Sequence, residues 1–572
     1  MIPDMSRLTC LGELLRDALL TYKSNVALVE LDRHREQRRL TYAQLLVEAE
    51  TVTATLQGTL TSGQRCAILM SNQSRWVSGA LGAMFAGAVL VPLDYKLTAR
   101  EQLSLLQHAE PQVLIVEYPV YRDLLREGLA ELALRVIVCG VPAGEALVAP
   151  HELFPEANEA LARDAVFVPR QRDDLASVVY SSGTGGVPKG CMLTHDNYLV
   201  QAEALSRLFP MEEEDCYFSV LPTNHAIDFM CGVIVPYLYG ASVVHQRTLR
   251  AEFVVSTMKQ CRVTHTALVP RILKSLREGI EEELEKQTEW RRTLLRGLME
   301  VNDVATMKTP NHRLSRMLLY PLQQRFGGRL RMIIAGGSFV DPQLANYFYR
   351  LGFPVVIGYG LTESCVVLTV NDLQPFRANT VGKPVPGVEV EVRDPDAEGV
   401  GEIVARGRSI MRGYLNAPEL TAEALQDGYL RTGDLGRFDA SGHLQLFGRA
   451  KNMIVTDGGK NVYPEDIEAA LDGVACEELC VLAESFVWPD SAFRGAKLLA
   501  VVRLKDDQTV DDLREQLVAR NRELVDYKRL GGFVLTTEAF PVTASMKIKR
   551  GELAKQLRAE ACERMELVEE VP

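Results

Sequence analysis

No CxxC pair occurs among the eleven cysteines of this 572-residue chain, and their number is odd. A disulfide framework or a zinc site is therefore not expected, and reduced thiols point to a cytoplasmic protein. Long apolar runs are also missing. The longest, residues 233–244, is broken by Pro236 and Gly240, so nothing is long enough to span a bilayer. The first twenty residues carry Asp4, Arg7, Glu13, Arg16 and Asp17 and no apolar h-region, so no signal peptide is expected. Positive charge is in deficit. The net charge of −12 argues against a nucleic-acid partner, whose affinity would come from neutralising phosphates. There is no repeat of solenoid period and no low-complexity tract.

What is present is α/β patterning. Between about residues 40 and 390, apolar runs at 66–70, 113–116, 136–138, 332–335 and 355–357 alternate with amphipathic segments. Continuous runs of that length indicate parallel strands covered by helices on both faces. From about 388 the character changes to short alternating runs at 388–392, 401–404 and 444–446, which read as antiparallel strands of a smaller unit. After Gly448 the pattern mixes again. A helix starts at Pro464, strands lie near 479–483 and 498–504, and a helix covers about 510–524. Residues 276–300 are heavily charged, and Ile280, Leu284, Leu294 and Leu298 form a helical stripe. The stripe predicts an exposed helix packed on that face rather than one docking a partner.

The most informative segment is Tyr180-Ser181-Ser182-Gly183-Thr184-Gly185-Gly186-Val187-Pro188-Lys189-Gly190. It follows a buried-strand pattern at 175–179. Its glycines free the backbone to close round phosphate oxygens, while Ser181, Ser182 and Thr184 add donors and Lys189 adds charge. A Walker loop is excluded, because it requires Gly-Lys-Ser/Thr and Lys189 stands between Pro188 and Gly190. A plain surface turn would account for the glycines but not for the hydroxyls and the lysine.

Four further segments carry chemistry. In Gly358-Tyr359-Gly360-Leu361-Thr362-Glu363, an aromatic, a hydroxyl and a carboxylate follow a strand and suit a purine, a phosphate and Mg²⁺. Asp434 in Arg431-Thr432-Gly433-Asp434 can accept both hydroxyls of a ribose. Charged residues flank the Gly458-Gly459 turn, and Lys547 lies in a loop of small residues at 541–550. Each taken alone has a plainer reading: a core aromatic, a helix cap, a turn residue, a solvated patch.

In this order and over nearly the whole length, from Val91-Pro92-Leu93-Asp94 to Arg550, the five segments resemble the adenylate-forming superfamily of acyl-CoA synthetases, amino-acid adenylation domains and luciferase. The resemblance implies a large N-terminal domain, residues 1–448, of two mostly parallel helix-covered sheets. It also implies a small antiparallel β-barrel at 387–448 and a small mobile α+β C-terminal domain, 449–572. It implies that Ser181, Ser182, Gly183, Thr184 and Lys189 hold the β- and γ-phosphates of ATP. Tyr359, with Gly358 and Gly360, would meet adenine. Thr362 would touch the α-phosphate, Glu363 would hold Mg²⁺, and Asp434 with Arg449 would bind the ribose. Lys547 would be the catalytic lysine, acting with Thr184, His225 and Glu363. Lys451 would be the hinge, and Gly458 and Gly459 would line a channel for the thiol of CoA or of a carrier protein's pantetheine.

The acid pocket falls at Leu221-Pro222-Thr223-Asn224-His225-Ala226 and at Gly336-Gly337. Amino-acid-activating relatives carry Asp after the aromatic. Ala226 stands there instead, so the expected small-molecule substrate is a carboxylic acid other than an amino acid. Met230, Cys231, Val233 and Ile234 would give an apolar wall. The segments at 335–338 and 459–468 look most like the long-chain fatty acyl branch, and 369–387 is too short for the insertion of relatives that stop at acyl-adenylate. The expected activity is acid–thiol ligation, with CoA or an acyl carrier protein as acceptor and peripheral membrane contact allowed. Two positions depart from the family pattern: Gly185 replaces a hydroxyl residue and Met546 replaces the glycine before Lys547. A protein that binds without turnover is the remaining alternative.

Overall fold

Val113–Glu117 is buried at every position, with no polar alternation, as a strand covered on both faces must be. It lies inside the first of two large sheets in a computed structural model. The model describes residues 5–181, 189–248, 250–307, 309–337, 339–455, 461–488, 498–505, 508–542, 548–560 and 562–567. By internal contacts the chain forms two units. The first comprises Met1–Val390 with Val404–Arg431, and the second comprises Glu391–Ile403 with Thr432–Pro572.

Among the described residues, the first unit holds two mixed sheets. In one, Leu175–Ser181, Val89–Pro92, Arg65–Leu69, Val113–Glu117, Arg135–Cys139 and Glu152–Leu153 run parallel in that order. Lys189–Thr194 and Gly413–Tyr414 then extend its edge antiparallel. In the other, Val355–Tyr359, Met332–Ala335, His265–Leu268, Cys216–Ser219, Ser242–Gln246 and Val26–Asp32 are parallel neighbours. The strands read from sequence are present, and both sheets are mostly parallel as expected.

Alternation along each strand divides the apolar residues between layers. Ile68 and Ile115 join Leu28, Val243 and Val356 in a core shared by the two sheets. Ala67, Leu69, Leu114 and Val116 face outward to Leu106 and Leu124, and Val29, Phe218, Val244 and Val355 face Leu273, Leu276 and Phe348. The shared core is filled by Ser74–Phe85, a helix buried nearly all round. A Cβ at its Gly82 would stand 2.6 Å from Val52, so glycine is what lets Tyr42–Leu56 pack this close.

A smaller sheet has the order Val388–Arg393, Gly401–Gly407, Tyr429–Phe438, Leu425–Gln426, with Leu444–Arg449 also paired to Tyr429–Phe438. It is open, which corrects the expected barrel. Leu425–Gln426 and Leu444–Arg449 share one edge of Tyr429–Phe438 at different heights, so neither continues round to close the sheet. The second unit adds an α+β module. Glu478–Ala483, Leu498–Arg503, Leu530–Leu535 and Arg564–Glu566 form its sheet. Leu513 and Leu517 pack with one buried cluster, and Leu553 and Leu557 with the other.

Candidate functional site

Leu175–Ser181 and Lys189–Thr194 pair antiparallel with Ser181 opposite Lys189, so both ends of the glycine-rich segment are fixed at one point. Ser182, Gly183 and Thr184 lie outside the described residues. Lys189 Nζ sits 5.4 Å from the ring centroid of Tyr414, a cation–π distance. Tyr414 is held there because Gly413–Tyr414 pairs with Met192 and Cys191. Its hydroxyl donates to Glu363 Oε1 at 2.8 Å. The Met411 amide donates to the Glu363 carbonyl, also at 2.8 Å. The fold thus joins Lys189 and Glu363, far apart in sequence, through one tyrosine. Burial first, and then the Glu363 carboxylate, push the neighbouring Cys191 thiol well up, so this cysteine is no nucleophile.

Glu363 lies on a single 3₁₀ turn, Thr362–Ser364, directly after Val355–Tyr359. The Ser364 hydroxyl accepts from the Leu361 amide at 3.0 Å. Cys365 and Val366 then adopt φ of 52° and 98°. Positive φ at a branched residue is strained, and the strain bends the chain back so that the Leu368 amide donates to the Tyr359 carbonyl at 2.7 Å. Gly360 is the price of that return, since any Cβ would overlap the Val366 carbonyl. Tyr359 is buried, while Gly358, Gly360, Thr362 and Glu363 are half-exposed.

The acid-pocket residues meet the same strand end. A Cβ on Gly336 would lie 3.0 Å from the Gly358 carbonyl oxygen and 3.8 Å from Ile227 Cδ1. Gly337, at φ 80°, turns the chain away. Ile227 follows Ala226 on the short helix Ala226–Phe229, whose Asp228 and Phe229 amides donate to the His225 carbonyl. His225, half-buried, therefore stands where the loop enters the helix. The loop is braced from below. Asn72 accepts from the Thr223 amide at 2.9 Å and donates to the Leu221 carbonyl at 2.6 Å and Ser219 Oγ at 3.1 Å. Ser219 and Thr223 donate in turn to Asp228 Oδ2. Burial pushes the Asp228 carboxyl up to about 7. Met230, Val233 and Ile234 are sealed in the shared core, so of the four proposed wall residues only Cys231 keeps partial exposure. They lie on a π-helical turn, Met230–Ile234.

In the second unit Asp434 and Arg449 face each other across paired strands, with Arg449 Nε 2.7 Å from Asp434 Oδ1. The Thr432 hydroxyl accepts from the Asp434 amide and donates to the Ile403 carbonyl, which fixes the carboxylate. Lys451 is exposed on the next 3₁₀ turn, Ala450–Asn452. Beside it Glu465 accepts from Asn452 at 3.2 Å and pairs with Arg550, which also binds Glu468 at 2.7 Å. Gly458, Gly459 and Lys547 lie outside the described residues, although Arg550 anchors the helix Arg550–Ala559 that follows Lys547.

Sequence reasoning missed Tyr414, Asn72, Asp228 and the Glu465–Glu468–Arg550 brace. Tyr414, Asn72 and Asp228 stand in no motif, and only Gly413 before Tyr414 hints at a close approach; Glu465, Glu468 and Arg550 lie in the segments at 459–468 and 541–550, but nothing local in either pairs them.

A family model described as AMP-binding enzyme matches residues 15–415. The chain is 27% identical over 520 residues to a long-chain-fatty-acid–CoA ligase of Gallus gallus, covering 86% of this chain and 67% of that one. It is 26% identical over 548 residues to a chloroplastic long-chain-fatty-acid–[acyl-carrier-protein] ligase of Arabidopsis thaliana, covering 82% and 74%. An anthranilate CoA ligase solved in complex with anthranoyl-AMP superposes with a TM-score of 0.77 at 22% identity, over 98% of this chain and all of the other.

Proposed function

The chain belongs to the AMP-binding enzyme family, and from that premise we propose that it joins a fatty acid to a thiol through an acyl-adenylate. The observation that carries the reading is the Lys189–Tyr414–Glu363 cluster. It joins a cation and a carboxylate through one tyrosine, at the strand pair where Ser181 stands opposite Lys189. The acid's carboxylate oxygen bonds to the α-phosphorus of ATP as the bond to the leaving pyrophosphate oxygen breaks. The difficulty is bringing one anion onto another, a repulsion of about 4 kcal/mol per charge pair at 4 Å and an effective dielectric near 20. Lys189 and, on the resemblance, Lys547 offset it, most of all as charge builds on the phosphates.

Glu363 fits a Mg²⁺ ligand. Tyr414 occupies only Oε1, and among the described residues no three or more His, Cys, Asp or Glu are grouped so as to hold a metal ion. That donor set suits an ion taking most of its oxygens from phosphates and water. Bound there, Mg²⁺ would neutralise phosphate charge. Tyr359 and Thr362 would position adenine and α-phosphate, and Asp434, steadied by Arg449, would take the ribose hydroxyls. His225, Ala226, Gly336 and Gly337 would shape the carboxylate end of the acid pocket. In the second half-reaction the thiol attacks the mixed anhydride and releases AMP. We place Gly458-Gly459 along its approach and Lys451 at the hinge, with 449–572 as the domain that turns.

The test is exchange of labelled pyrophosphate into ATP on addition of acids from acetate to oleate, aromatic acids included. Exchange stimulated by fatty acids is expected, and no stimulation by any acid would sink the reading. Supplying CoA or a holo carrier protein then identifies the acceptor. The Arabidopsis relative makes the carrier the second reading.

A further inference from the structure

The strand pair at the root of the glycine-rich segment is held from a second face. Where Leu175–Ser181 pairs with Lys189–Thr194, Tyr180 stands opposite Gly190 and Ser181 opposite Lys189. Side chains alternate across a strand, so Lys189 turns to the face of Tyr414 and Tyr180 to the other. There Tyr180 joins the outward layer of the first sheet, with Val178, Met192 and Leu415. A Cβ at Gly190 would stand 3.3 Å from Tyr180 Cε1 and 2.9 Å from Val178 Cγ1, so the tyrosine ring covers bare backbone. Glycine inside a strand weakens its pairing, and an aromatic lying across it offsets the loss.

His108 fixes that ring. Its Nδ1 lies 2.8 Å from the Tyr180 hydroxyl, and the two rings meet edge to face at 5.8 Å and 74°. Burial pushes the Tyr180 hydroxyl well above its ordinary range, so it keeps its proton and the bond is neutral. His108 comes from the last turn of the helix Ala99–Ala109, which is itself firmly held. Leu106 and Ala109 pack into the same outward layer. The Gln102 amide donates to the carbonyls of Asp94, Tyr95 and Leu97, and the Arg65 guanidinium donates to the Ala109 carbonyl. A rigid helix end therefore grips the strand that leads into the segment.

We propose that His108 is a positioning residue for the phosphates of ATP, acting through Tyr180. The proposal rests on the adenylation reading, in which Ser181 and Lys189 hold the β- and γ-phosphates. Those two residues leave the strand pair on either side of 182–188, and their direction is set from both faces. Tyr414 sets it on one, and Tyr180 with His108 sets it on the other. Groups that hold a reacting phosphate lose much of their effect when displaced by a fraction of an ångström. Freeing the Tyr180 ring should therefore be felt where ATP and pyrophosphate bind, and not at the acid or the thiol.

The experiment is pyrophosphate exchange by the full chain, with KM measured separately for ATP, pyrophosphate and the acid. His108→Ala should raise KM for ATP and for pyrophosphate by about threefold to tenfold, the range of one neutral hydrogen bond. KM for the acid and thiolysis of added acyl-adenylate should not change. Tyr180→Phe should give the same shift, and the double variant no more than either alone, because both changes remove one interaction. His108→Asn, whose side-chain amide reaches as far as Nδ1, should recover most of the loss. His108 is half-buried, and an unaltered thiolysis rate establishes that each variant is folded. Unchanged KM for ATP and pyrophosphate, additive losses in the double variant, or a loss shared with the acid and thiolysis would overturn the proposal. A parent chain without exchange on any acid would instead sink the adenylation reading, and this role with it.

Discussion

At the scale of single residues the structure turns two motif positions into one device. Tyr414 holds Glu363 by its hydroxyl and Lys189 by its ring, so Tyr414→Phe separates the two functions. The ring stays, and a hydrogen bond to a charged group, worth about 1.5–3 kcal/mol, is lost. Adenylation should slow by roughly tenfold to a hundredfold and need more Mg²⁺ for half-saturation. An unchanged Mg²⁺ titration would remove Tyr414 from the site. Lys547→Ala should slow adenylation by about 10²–10³-fold while nearly sparing thiolysis of added acyl-adenylate. Equal loss in both steps would take Lys547 out of its assigned role. Asp228 makes a prediction about stability. Its carboxyl titrates near 7 in the folded chain against an ordinary 3.8. The stability that its protonation contributes is complete below about pH 4 and is lost as the pH rises to 7. Asp228→Asn should abolish that slope, at most about 1.4 kcal/mol per pH unit. Parallel denaturation midpoints for both proteins from pH 4 to 7 would refute the shift.

Elements show what local pattern can and cannot convey. Continuous apolar runs marked the parallel strands correctly, because a strand covered on both faces has no polar side to display. Of the stripe at 280–298, Ile280 and Leu284 are buried and Leu298 packs against the same core, but Leu294 is exposed, because the break between Glu285 and Glu289 shifts the face of the helix that follows. The expected barrel became an open sheet through competition for one edge of Tyr429–Phe438, a matter of pairing between segments and not of strand propensity. The turn Ala450–Asn452 carries the hinge proposal. Lys451→Pro fixes φ there and should arrest thioester formation more than pyrophosphate exchange. Normal turnover of both steps in that variant would dispose of the hinge.

Over the whole molecule, acid is the informative perturbation. His195, His245 and His265 are buried in the first unit, and burial pushes each down to about 4. His195 must be neutral at Nδ1, because it accepts the Leu11 amide there. An unfolded chain protonates these imidazoles near 6.5, so the first unit should lose stability as the pH falls from about 6.5 to 4. The limit is about 4 kcal/mol per pH unit for three protons. Asp228 acts in the opposite sense over much the same range, but as one group against three. Unfolding monitored from pH 7 to 4 should show this loss, and a flat profile would contradict the buried neutral state.

Composition and motif order were enough to determine an α/β chain and the reaction class of its family. They suffice because glycines, hydroxyls and a lysine at set spacing are required wherever backbone must wrap phosphate. Tertiary structure alone decided that Tyr414 joins Lys189 to Glu363, that Asn72 and Asp228 steady the segment before His225, and that His108 meets Tyr180 at the root of the glycine-rich segment. The reason is physical. Cys191 pairs with Tyr414 across 223 residues of chain, and a partner chosen over that distance leaves no period in the sequence near either one.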